Sequence, residues 1–60
     1  MDYTVRQHLA STQQLTERAL MADGALQAVA LCHKAKQELA RAENLLVRAV
    51  TQRACEESGH

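Results

Sequence analysis

DGALQAVALCHKAKQELARAENLLVRAVTQRACE, residues 23–56, is the stretch on which the fold turns. It opens on Asp23-Gly24, the one internal punctuation of the chain, and then runs through residues 25–56 with neither glycine nor proline. Glycine reaches positive φ at no steric cost and favours the position just past a helix end, while aspartate can cap a helix that follows. The stretch therefore predicts a turn at 23–24 and a long helix over about 25–56. The alternative, one unbroken helix through the turn, would carry Gly24 in its interior at a cost of about 1 kcal/mol relative to alanine.

Upstream, Asp2 or Thr4 can cap a first helix over about 3–22. Ser11-Thr12-Gln13-Gln14 also matches a capping box, so a second start near Thr12 is an open alternative. At 1.5 Å per residue the arms would be about 30 Å and about 48 Å long. The fold class expected is all-α: a single helical-hairpin domain over residues 1–60, its short arm leaving the far end of the long arm uncovered. A homodimer completing a four-helix bundle would cover that end.

Within the long arm, alanine recurs every seven residues at Ala28, Ala35, Ala42 and Ala49, beside a second series of Ala25, Cys32, Leu39 and Leu46. Three-four spacing joins the two series into one seam, and small residues along a seam let helix backbones approach closely. Ala28, Cys32, Ala35, Leu39, Ala42, Leu46 and Ala49 are accordingly the expected self-association seam. Leu31, Leu45, Val47 and Val50 fall outside it and supply more apolar surface than one partner helix needs. On the short arm, Val5, Leu9, Leu15, Ala19 and Ala22 form a narrower stripe diluted by Thr12 and Thr16.

Composition agrees with helix and nearly excludes a β fold: eleven alanines, eight leucines and six glutamines stand against no proline and one aromatic residue, Tyr3. Sixty residues make a thin core, and chains of this size usually add disulfides, a metal or a partner chain. Cys32 and Cys55 would sit about 35 Å apart on one helix, too far for an intrachain bridge. No apolar run approaches a membrane span, and Met1-Asp2-Tyr3 does not read as a signal peptide, so a cytoplasmic location is expected.

The chemistry-bearing candidates weigh lightly. Cys32-His33 offers good zinc ligands at a bad spacing, because adjacent helical residues point about 100° apart, and no metal or cofactor is expected. No nucleophile and base share a recognisable spacing, so neither an enzyme nor a small-molecule substrate is expected. Lys34, Arg41 and Arg48, seven apart, form a basic stripe within a segment whose net charge over residues 25–54 is +3, five basic side chains against two acidic. That stripe could grip phosphates as dimeric helical hairpins that bind RNA do. Against this, Glu38 stands at pairing distance from Lys34 and Arg41, Arg53 can pair with Glu57, and no aromatic residue is there to stack on bases.

The reading that follows is a small regulatory or adaptor protein, dimeric, that binds and inhibits another protein through helix–helix contacts. Leu31, Leu45, Val47 and Val50 would dock, with Lys34, Arg41 and Arg48 setting orientation. Short phage- or bacterium-encoded inhibitors share this size and simplicity. A co-chaperone of a secretion or assembly system is one alternative, and a dimeric RNA- or DNA-binding regulator is the other.

Overall fold

The structure, a computed structural model describing residues 1–58, is a two-helix antiparallel hairpin 56 Å long and 18 by 11 Å across. Helix α1 spans Tyr3–Leu20 and helix α2 spans Ala25–Ser58. Neither a strand nor a helix long and apolar enough to cross a membrane occurs among the described residues.

Helix α1 is continuous. The expected second start at Ser11–Gln14 is absent, and the Thr12 hydroxyl instead donates back to the His8 carbonyl at 2.8 Å, with Thr16 doing the same to Thr12 at 2.7 Å. Both threonines thus satisfy their hydroxyls inside the helix. Asp2 occupies the N-cap with extended backbone, and its carbonyl accepts the Arg6 N–H at 3.1 Å, but its side chain makes no capping bond.

The helix ends two residues before the expected boundary. Met21 N–H donates to both Glu17 and Arg18 carbonyls, and Ala22 N–H to Ala19, so the last turn tightens toward 3₁₀. No described residue takes positive φ. Gly24 therefore does not terminate α1 in the left-handed conformation. It starts α2, its carbonyl accepting the Ala28 N–H at 3.0 Å. Helix α2 continues to Ser58, past the expected end near Glu56; Gly59 and His60 lie outside the described residues.

The helices meet along a seam whose spacing on both sides alternates three and four: Val5, His8, Thr12, Leu15, Ala19 and Ala22 against Ala28, Leu31, Ala35, Glu38, Ala42 and Leu45, each buried or half-buried. Its tightest points are Val5 at 3%, Ala35 at 9% and Ala42 at 0% exposure. Alanine, rather than leucine, at those α2 positions lets the backbones approach. The chain register pairs His8 with Glu38, so Met1 lies near the level of Leu45 and Leu46, and α2 projects past α1. At 1.5 Å per residue the twelve residues 47–58 carry it about 18 Å further.

Candidate interaction surface

The seam accounts for one face of each helix, and what remains exposed defines the surface available for binding. Toward the end of the seam where α1 begins stands a polar cluster. His8 Nδ1 and Glu38 Oε2 are 2.6 Å apart across the helices, and Arg41 donates to Glu38 Oε1 at 3.1 Å one turn along α2. The hydrogen bond from His8 and the charges of His8 and Arg41 hold the Glu38 carboxyl below the ordinary carboxylate value of 4.5, against the opposing effect of partial burial. A slip of one heptad either way would set Glu38 opposite Met1 or Leu15 and part it from His8, so the cluster favours this register. Lys34, expected to share Glu38, does not pair with it.

The sequence candidates divide between two faces. Ala28, Ala35 and Ala42 lie toward α1, as do Leu31 and Leu45, both half-buried. Cys32, Leu39, Leu46 and Ala49 are exposed. Within the hairpin the seam continues from each alanine to Leu31, Glu38 and Leu45, one side of the alanine line, and leaves Cys32, Leu39 and Leu46 on the other side exposed. Leu31 and Leu45, expected to dock a partner, are largely used within the hairpin. Val47 and Val50 remain exposed on the projecting part of α2.

Three strips of α2 are thus open. One carries Val29, Cys32, Leu39, Leu46 and Val50, with Lys36 and Glu43 among them. The second is the basic stripe of Lys34, Arg41 and Arg48 on the opposite flank, all exposed, of which Arg41 is engaged by Glu38. Between them, on the face turned away from α1, lie Leu26 and Val47. A cleft of about 560 Å³ opens where α1 begins and α2 runs on, lined by Met1, Val5, Leu45, Ala49 and Val50 among others. Both cysteines are free and exposed. No group of three or more histidine, cysteine, aspartate or glutamate side chains is placed to hold a metal among the described residues.

The pairing of His8 with Glu38 was missed at the sequence level, although a signal existed. Glu38 sits at the three-four spacing of an otherwise apolar line, Ala28, Leu31, Ala35, Ala42, Leu45, which marks it as a seam residue in need of a partner.

Fold and surface together define a small helical hairpin with an uneven pair of arms and apolar strips left uncovered. No family model, curated protein or solved structure matches the chain.

Proposed function

We propose that the protein is a non-enzymatic adaptor that pairs with itself into a four-helix bundle and binds another protein through α2, acting as an inhibitor of that protein. The observation carrying this reading is the imbalance of apolar surface. Among the described residues Val5, Ala35 and Ala42 are the buried core, whereas Leu26, Val29, Leu39, Leu46, Val47 and Val50 of α2 are all exposed. A lone hairpin with so thin a core is marginal, and apolar surface gains roughly 25 cal/mol for each Å² removed from water, so association supplies what folding of one chain does not.

A bundle face made by a second copy would leave Val47 and the stripe Lys34, Arg41 and Arg48 facing outward. An apolar residue flanked by a row of cations fits a helix bearing acidic side chains beside its own apolar stripe. In this reading the protein partner is a helical segment of that character.

The test uses a partner recovered with the intact chain and then purified. Val47→Asp should weaken binding at least tenfold, and Lys34→Glu with Arg48→Glu should slow association while helix content by circular dichroism stays unchanged. Binding indifferent to all three changes would overturn the proposed docking face. If the recovered partner is a nucleic acid, with affinity falling steeply with salt, the protein-adaptor reading is replaced by the phosphate-binding one.

A further inference from the structure

The strip of α2 that carries Ala25, Val29, Cys32, Lys36, Leu39, Glu43, Leu46 and Val50 repeats at alternating four and three residues, the spacing of a second helix-pairing seam. All eight are exposed. Six are small or apolar. The two charged positions, Lys36 and Glu43, lie seven apart with Leu39 between them. Neither has an opposite charge three or four residues away on α2, and neither forms an ion pair among the described residues.

That arrangement is self-complementary in one direction only. In an antiparallel pair of α2 helices with the two-fold axis at Leu39, that residue meets its own copy, and Lys36 meets the partner's Glu43. Reciprocally, Glu43 meets the partner's Lys36. In the same register Cys32 faces the partner's Leu46, and Val29 faces the partner's Val50. In a parallel pair like charges would oppose each other at both positions. The axis also falls near the middle of Ala25–Ser58, so the stretch of α2 beyond α1 lies along the first turns of the partner's α2.

The strip is centred about 100° around the helix from the seam with α1, at 3.6 residues per turn. A helix with two apolar faces at nearly a right angle is a corner of a four-helix bundle. A two-fold axis normal to the plane of the two α2 helices keeps both α1 helices on the same side of that plane, so the assembly closes as a bundle and forms no open chain.

We infer that the chain forms an antiparallel homodimer through this strip of α2, with Leu39 on the two-fold axis and reciprocal Lys36–Glu43 ion pairs fixing the register. This rests on the reading that the hairpin self-associates, and it specifies the surface and direction.

The experiment is charge reversal with mixing, read by light-scattering mass, with helix content measured for each variant. Lys36→Glu alone sets two acidic residues opposite each other twice, and Glu43→Lys does the same with lysines, so each should weaken the homodimer roughly ten- to hundredfold. Mixed together, the two variants have complementary charges at all four positions, and a mixed dimer should form under conditions where each alone is monomeric. A second readout is independent of charge. With Cys55→Ala, Leu46→Cys should give a disulfide-linked dimer through Cys32 under mild oxidation by dissolved oxygen, whereas Cys32 alone should not, since its own copy lies about 21 Å along the axis. A dimeric parent chain whose variants stay dimeric and show no preference for mixing overturns this register and leaves self-association standing. A monomeric parent chain overturns both.

Discussion

Ala42 has no surface left for solvent, and its place in the hairpin shows how narrow the space between the helices is. Ala42→Leu would add three carbons where the backbones are closest, and should destabilise the fold by about 1 to 3 kcal/mol in thermal or urea unfolding. Ala40→Leu, on the exposed face of the same helix, should be close to neutral. Glu38 gives a prediction in pH. Its carboxyl is held below the usual value in the folded chain, so its contribution to stability is present above that value and is lost as pH falls through the lowered one. As pH falls from the ordinary carboxylate value of 4.5 through the lowered one, the parent chain should therefore lose more stability than Glu38→Gln, whose side chain carries no ionisable carboxyl. Equal losses in the two would remove the cluster as a source of acid sensitivity. Glu38 is also where the sequence misled. From Ala28, Ala35 and Ala42 a seam can lean toward Leu31, Glu38 and Leu45 or toward Cys32, Leu39 and Leu46, and apolarity alone favours the second. The structure leans to the first, where His8, thirty residues away in sequence, answers the carboxylate, and no local pattern contains that pairing.

At the scale of the elements, the long helix and the break before it were legible because they rest on local rules: an uninterrupted run of helix formers after Asp23-Gly24. The role of Gly24 was not, since the last turn of α1 closes in 3₁₀ fashion without a left-handed residue. A Cβ built at Gly24 meets no atom within 4 Å. Gly24→Ser should therefore fit, supply a hydroxyl to the free N–H groups at the start of α2, and complete a capping box with Gln27 three residues on. Together with the reduced freedom of the unfolded chain, this should stabilise the protein by about 0.3 to 1 kcal/mol, measured as a rise in melting temperature. A fall would mean that the turn needs backbone freedom at Gly24 that a serine lacks. The capping signal at Ser11–Gln14 failed because a capping box competes with helix continuation, and α1 runs unbroken through it.

For the molecule as a whole, the unequal arms are the feature that points beyond one chain. Helix α2 runs 34 residues against 18 in α1, and its projecting end keeps Val47 and Val50 exposed at 57% and 67%. The excess of apolar surface was readable from the sequence, because Leu31, Leu45, Val47 and Val50 fall outside the alanine seam. Which of them the short arm would cover depended on the register set by His8 and Glu38. If a second copy covers the rest, folding and association are coupled, and the melting temperature should rise with protein concentration. The most direct measurement is the absolute mass of the purified chain by light scattering on a sizing column with reducing agent present. A mass twice the 6.6 kDa of one chain, retained on dilution into the micromolar range, is the predicted result. A mass of one chain at every concentration, with the helices intact by circular dichroism, would contradict it.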